Sequence, residues 1–339
     1  MFYSGGADSM TSRSEPLRVV PPSPEPAQRR YCLITPCRNE AEFIRHTLDT
    51  TTAQSVPPAR WVIVDDGSTD ETPQIIAEYA RRFDYIRVIT RKDRGKRAVG
   101  PGVIEAFYEG LATVDLDDYD YVCKFDGDLE LPPYYFERVI ERMEADPYLG
   151  NFSGKLFERK EDGSLFEERT GDENAVGPVK FYRVRCFREI GGFVREVAWD
   201  GIDGHVCRMH GWIAMSADEP DTRIIHLRPM GSSQQNIWVG RQRWGRGKYF
   251  MGSRFYYVAA ASVYRMFERP WVISGIGICY GYLKAALTRH PQYTDRNYLR
   301  YLRRYELLSL MLGKKRALDT YNKRIRENFP HLKRQSSPA

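Results

Sequence analysis

The chain has 339 residues, 42% of them hydrophobic and 28% charged, which supports one large or two modest folded units and excludes wholesale disorder. The formal charge of +6 is unevenly laid out: residues 222–339 hold 23 Lys/Arg against 5 Asp/Glu, whereas the first 221 hold 28 against 40. A basic half of this kind calls for an anionic neighbour, while six scattered cysteines without a C-x-x-C pair argue against a disulfide framework or zinc site and fit a reducing cytosol.

Residues 1–28 are rich in Ser, Pro, Gly and Glu, with no charged segment leading into an apolar core, and read as a loose tail, not a signal peptide. Residues 30–36 form a short apolar strand ending at Pro36, and 40–51 show helical spacing through Phe43, Ile44 and Leu48. Trp61-Val62-Ile63-Val64 is a continuous apolar run, as expected of a strand buried on both faces of a parallel sheet. It stops at Asp65-Asp66-Gly67-Ser68-Thr69-Asp70, whose Ser, Thr and Asp suit the start of a helix over 71–83. Residues 85–89 give a third strand, 91–97 a basic glycine-containing loop, 103–112 a helix, and 121–125 a fourth strand.

Strands and helices alternating at this spacing predict βαβ units in an open α/β layer, with ligands bound beyond the carboxyl ends of the strands. Pro36–Glu40, Asp65–Asp70 and Asp126–Asp128 all fall at such ends, so three polar clusters meet on one rim. Asp126-Gly127-Asp128 is the sharpest of them. Alternate residues of a strand share a face, and two hard carboxylates side by side suit Mg²⁺ or Mn²⁺, whose shell is usually completed by water and substrate phosphates. The same three residues could also make an Asx turn.

Farther on, 133–143 looks helical, 153–168 alternates around the hairpin signal Asp162-Gly163, and 181–190 reads as a short strand and helix. Residues 200–212 give a helix and 223–227 a strand, after which the chain from 237 is basic, aromatic and largely helical. Residues 255–263 and 271–287 are apolar and aromatic, with Arg265, Arg269, Lys284 and Arg289 around them. The second stretch is at the lower limit of a spanning helix and is interrupted by Gly275, Gly277, Gly281 and Lys284. It is better suited to lying in a membrane interface, with basic residues toward anionic lipid. Core helices, or a contact with a second copy of the chain, are the alternative. No internal repeat is present.

Thr35-Pro36-Cys37-Arg38-Asn39-Glu40, then Val64 through Asp70, then Asp126-Gly127-Asp128, resembles in order and spacing the family 2 glycosyltransferases. The resemblance covers about residues 30–230. Arg246–Gly252 and Tyr264-Arg265-Met266 look, less specifically, like bacterial members that build exopolysaccharide on lipid carriers. It implies a GT-A fold, a Rossmann-like mostly parallel sheet with helices on both faces, over 29–232, with a basic, aromatic helical extension over 233–334. It implies an inverting hexosyl transfer from a nucleotide-sugar, UDP by family habit, to a hydroxyl of a lipid-linked or polysaccharide acceptor. The protein would work in the cytoplasm, peripherally at the inner face of the cell membrane.

The resemblance also assigns roles. Thr35, Pro36, Arg38, Asn39 and Glu40 sit where the first loop meets the nucleotide, and Asp65 and Asp66 match the acidic pair that reads the base. Gly95-Lys96 lies in the loop placed over the nucleotide. Asp126 and Asp128 would meet the ribose and a divalent ion (Mg²⁺ or Mn²⁺), and His226 matches a position that completes the metal shell in related enzymes. The acidic pair holding the general base corresponds here to Trp199-Asp200-Gly201-Ile202-Asp203, so Asp200 or Asp203 takes that role. Arg241, Arg243, Arg246 and Lys248 could meet an acceptor phosphate. A nucleotidyltransferase would show a glycine-rich loop where Pro36–Glu40 has none, and no nucleic-acid-binding signature is found. An inactive transferase-like scaffold acting through its basic half is the remaining alternative.

Overall fold

The computed structural model describes residues 29–95, 100–168, 170–228, 237–267, 271–330 and 332. Its main sheet is built from β1 (Tyr31–Cys37), β2 (Arg60–Asp65), β3 (Ile86–Thr90), β4 (Tyr121–Phe125), β6 (Leu149–Gly154), β9 (Val179–Arg183) and β10 (Ile213–Ala217), in the order β10-β6-β9-β4-β1-β2-β3. β9 runs antiparallel to both neighbours, and the other pairings are parallel. This is the mostly parallel α/β sheet expected from the sequence. The order reverses between β1 and β4, where the crevice of such a sheet opens. A smaller sheet sets β5 (Leu129–Glu130), β11 (Ile224–His226), β7 (Leu156–Arg159) and β8 (Leu165–Glu167) side by side, and β7 and β8 form the hairpin expected around Gly163.

Side-chain alternation along β9 divides the core into two layers. Phe181 packs with Tyr31, Tyr121 and Phe136, the last from α4 (Tyr135–Ala145). Tyr182 points the other way, to Phe187 of α5 (Val184–Glu189) and to Phe193, which also meets Phe107 of α3 (Pro101–Leu111). The first two helices, α1 (Ile44–Thr52) and α2 (Thr72–Arg82), start later than the apolar spacing suggests. Glu40 and Ala41 spend their amides on the Thr72 hydroxyl (2.8 Å) and the Asp70 carboxylate (3.1 Å), so the chain turns before α1 begins. β10 and the full length of β6 were not foreseen. Ile213–Ala217 has two alanines and a serine, and it becomes a strand by pairing with β6 beneath α6 (Trp199–Met209).

The extension comprises α7 (Ile237–Phe250), α8 (Phe255–Arg265), α9 (Ile273–Leu287), α10 (Arg296–Leu312) and α11 (Lys314–Asn328). α10 is capped by Asp295, which accepts from the amides of Asn297 and Tyr298 at 2.8 Å. α11 returns to the core of the main sheet: Arg326 forks onto Asp146 at 2.6 and 3.0 Å, and Ile325 is buried with the main apolar cluster. α7 and α9 meet backbone to backbone. A Cβ at Gly245 would lie 2.0 Å from the Ile278 carbonyl oxygen, and one at Gly281 would lie 2.1 Å from that of Gln242. Gly281→Val is therefore expected to force α7 from α9 and to cost about 1–3 kcal/mol of stability, read as a lowered Tm. An unchanged melting curve would show that the two helices are not in this contact.

Among the described residues no helix is long and apolar enough to cross a membrane. The outer surface of α8 and α9 nevertheless exposes Tyr264, Phe267, Trp271, Ile273, Ile276 and Leu287, the last 85% accessible. Scattered apolar residues are normal on a surface, but a run of aromatics along two adjoining helices is not.

Candidate active site

The carboxyl ends of β1, β2 and β4 bring the three polar clusters together. Asn39 adopts φ 52°, donates its amide to Ser68 Oγ at 2.9 Å, and accepts at Oδ1 from the Thr69 amide at 2.8 Å. Asp66 bonds through its amide to the Cys37 carbonyl at 2.8 Å, which fixes the end of β2 against the end of β1. Gly67 turns the chain at φ 71°, and a Cβ there would stand 2.5 Å from Asp93 Cα, so glycine lets the 91–95 loop close over this corner.

The two aspartates at the end of β2 differ. Asp66 is saturated: Arg91 Nη1 donates to it at 2.7 Å and Arg94 grips its other oxygen. Asp65 is 1% exposed; its Oδ1 accepts from the Ser68 amide at 2.9 Å, but its Oδ2 is buried with no hydrogen-bond partner among the described residues. An orphaned carboxylate oxygen is costly, and it fits a site whose missing donor belongs to a ligand. Arg38 does not face outward; its guanidinium bonds the Asp66 carbonyl at 2.5 Å and Asp93 at 2.6 Å. Thr35 is also withdrawn, its hydroxyl accepting from Trp61 Nε1 at 2.9 Å inside the core. Pro36 is half-buried between them, and Gly95 holds its amide on Asp93 at 2.8 Å. Lys96 lies outside the described residues.

Asp126 and Asp128 follow β4 as expected. Asp126 is held by an ion pair to Lys124, whose Nζ also donates to the Gly177 carbonyl at 3.1 Å. Burial, reinforced by the neighbouring Asp128 charge and opposed by Lys124, raises its pKa. Sheet register supplies the next partner: β11 pairs with β5 so that His226 sits opposite Leu129, next to Asp128. His226 Nε2 is then 3.8 Å from Asp128 Oδ2, and its Nδ1 is 3.0 Å from Glu168. Burial disfavours the imidazolium, yet the bond and charge of Glu168, with Asp128 and Asp126, hold the His226 pKa above its usual value. Arg228 completes the corner, paired with Glu40 and with Nε 3.8 Å from Asp128. Glu168 and Arg228 were missed in the sequence, where nothing local ties them to Asp128.

Among the described residues no three His, Cys, Asp or Glu side chains already converge as a metal cage. The donor set does fit a divalent ion. Glu168 engages Nδ1 and leaves Nε2 toward Asp128, the second-shell arrangement typical of metal-bound histidine. The 3.8 Å Nε2–Oδ2 gap exceeds a hydrogen bond, so neither atom is spent on the other and both would be available as donors to an ion.

Asp200 and Asp203 open α6 in unlike settings. Asp203 is 2% exposed and satisfied on both oxygens: Lys180 Nζ at 2.7 Å and Tyr182 Oη at 2.5 Å on one, Asn174 at 2.9 Å and the Gly204 amide at 2.7 Å on the other. Lys180 and Tyr182 reach it together because alternate residues of β9 share a face. Asp200 is exposed, its backbone carbonyl fixed by Lys180 Nζ at 3.0 Å and by Asn174. Its carboxylate lies beside Gly177, the residue whose carbonyl holds Lys124 and so Asp126. Trp199, just before Asp200, has Lys124 and Lys180 within 5.3 and 5.8 Å of its ring, so it screens two buried ammonium groups brought opposite each other by the β4–β9 register.

The four basic residues of α7 separate. Arg243 and Arg246 line a pocket between α7 and α9, Arg241 stacks over Trp244 at 5.4 Å, and Lys248 turns inward, its pKa lowered by burial.

Residues 32–188 match the family model described as Glycosyl transferase family 2. Over 146 residues the chain is 32% identical to a poly-beta-1,6-N-acetyl-D-glucosamine synthase of Staphylococcus epidermidis, and 33% identical to one of Staphylococcus aureus (strain COL). Each alignment covers 42% of this chain and 33% of the relative, so the chain spans about a third of the length of the curated relatives it matches. A mannosyltransferase from Pyrobaculum calidifontis, solved in complex with GDP-Man and Mn²⁺, aligns over 90% of this chain and 88% of its own at 17% identity and a TM-score of 0.48. The matched residues run from β1 into α5, over the rim that carries Asn39, Asp65 and Asp126–Asp128, so residues 32–188 are similar to a glycosyl transferase family 2 domain.

Proposed function

We propose that the protein transfers a hexosyl group from a nucleotide-sugar, UDP in the first instance, to a hydroxyl of a lipid-linked or polysaccharide acceptor, with inversion. The unpartnered Asp65 Oδ2 carries this reading most directly, because it offers a buried acceptor for a base N–H at the carboxyl edge of the sheet. Asp126, Asp128 and His226 would hold Mg²⁺ or Mn²⁺, which would neutralise charge developing on the leaving diphosphate. Lys124 fixes the Asp126 carboxylate, and Glu168 fixes the His226 tautomer. Asp200, exposed beside Gly177, takes the proton of the acceptor hydroxyl, while Asp203 positions it by anchoring Lys180, which holds the Asp200 carbonyl. The aromatic surface of α8 and α9 supports a peripheral seat on an anionic membrane, at the inner face of the cell membrane.

Calorimetric titration of UDP, GDP and dTDP, with and without Mn²⁺, tests the donor site. Binding of one nucleotide is expected to require the metal, to vanish in Asp128→Ala, and to weaken about 10–100-fold in Glu168→Gln. Failure of all three nucleotides to bind the folded protein would overturn the transferase reading.

A further inference from the structure

Between α7 and α9 lies a pocket of about 380 Å³, within the range of small-molecule sites. Arg243, Arg246, Lys284 and His290 contribute to its wall, and no carboxylate does among the described residues. Arg243 Nη1 and Arg246 Nε are buried without a hydrogen-bond partner among the described residues. Two guanidinium groups facing one cavity repel each other, and burial adds to the cost of charging Arg243. The carboxylate whose charge Arg243 feels is Asp200, so the pocket neighbours the proposed base. On the outer side, Leu283 and Leu287 stand exposed next to the pocket residues Lys284 and Thr288, continuous with the apolar surface of α9.

We infer that this pocket binds the phosphate or diphosphate group of an amphiphile, with its hydrocarbon chain leaving along the apolar side of α9. The inference rests on the transferase reading above and deepens it by naming the anionic group of the acceptor. Paired arginines supply the forked donors that phosphate oxygens accept, and Lys284 of α9 and His290 just beyond that helix close the site from the other side. Lys248 and Arg241, which the sequence grouped with Arg243 and Arg246, are outside it; Lys284 and His290 come from a different helix and the turn beyond it.

Flotation of the full chain on vesicles tests this. Phosphatidylcholine vesicles doped with phosphatidic acid are compared with vesicles brought to the same surface charge with oleate, which is anionic but carries no phosphate. Wild-type protein is expected to prefer the phosphomonoester, and Arg243→Gln/Arg246→Gln to lose that preference by about tenfold or more. Lys284→Gln, at an exposed position, is expected to lose about fivefold and serves if the double variant melts early. Arg289→Gln, outside the pocket wall, is the charge control. Equal losses in Arg289→Gln and the pocket variants, or equal binding to oleate and phosphatidic acid, would overturn the pocket in favour of diffuse attraction. Inorganic pyrophosphate is titrated in parallel. Displacement of the protein from vesicles by millimolar pyrophosphate is expected, whereas pyrophosphate binding with no vesicle retention would overturn the lipid source. Nucleotide titration on the same samples separates the two readings: intact donor binding with no phosphate preference refutes the pocket and leaves the transferase standing.

Discussion

Asp200→Asn is expected to lower kcat by about 10²–10⁴-fold while leaving donor-nucleotide affinity and Tm unchanged. The amide keeps the shape of the side chain and cannot accept the proton. Because Asp200 is exposed and its backbone carbonyl, not its carboxylate, is the group bound by Lys180 and Asn174, folding should not register the change. Single-turnover transfer from the donor identified by calorimetry, measured beside a melting curve, checks both halves. Turnover at the wild-type rate would remove the base assignment from Asp200.

Asp203→Ala is expected to act through stability. It strands the Lys180 ammonium in the interior, and breaking a buried pair on one side costs about 3–5 kcal/mol, or roughly a 4–7 °C fall in Tm for a protein of this size. Tyr182 and Asn174 lose their acceptor at the same time. Replacing both charges, as in Lys180→Met/Asp203→Leu, should recover much of the loss, since an apolar pair of similar volume leaves no uncompensated charge. Activity in the double variant would still fall, because the Asp200 carbonyl loses its anchor. If Asp203→Ala instead melted like the wild type and lost transfer a hundredfold or more, Asp203 would be the base and Asp200 the bystander.

The two aspartates illustrate how far the sequence reaches. Trp199-Asp200-Gly201-Ile202-Asp203 places both at the start of one helix, and counting back from Gly211-Trp212 favours Asp200 while leaving Asp203 one helical turn along. What sets their surroundings apart is β9, whose residues Lys180 and Tyr182 converge on Asp203 and leave Asp200 outward. The pair Asp65-Asp66 behaves likewise. Adjacent in sequence, they diverge because Arg91 and Arg94 of a later loop neutralise Asp66, whereas none of the described residues bonds Asp65 Oδ2.

By itself the sequence determined the alternation of strands and helices, the order of the three polar clusters, and the basic, aromatic character of the extension. These are properties of contiguous residues: apolar period, turn chemistry and charge runs are written within a few positions of one another. Only the tertiary structure decided that Glu168 orients His226, 58 residues away, that Lys124 and Lys180 stand opposite each other around Trp199, and that Arg243 and Arg246 share a pocket with Lys284 and His290. Each of these depends on strand register or on the close approach that Gly245 and Gly281 permit, and a one-residue slip in either would turn the same side chains away.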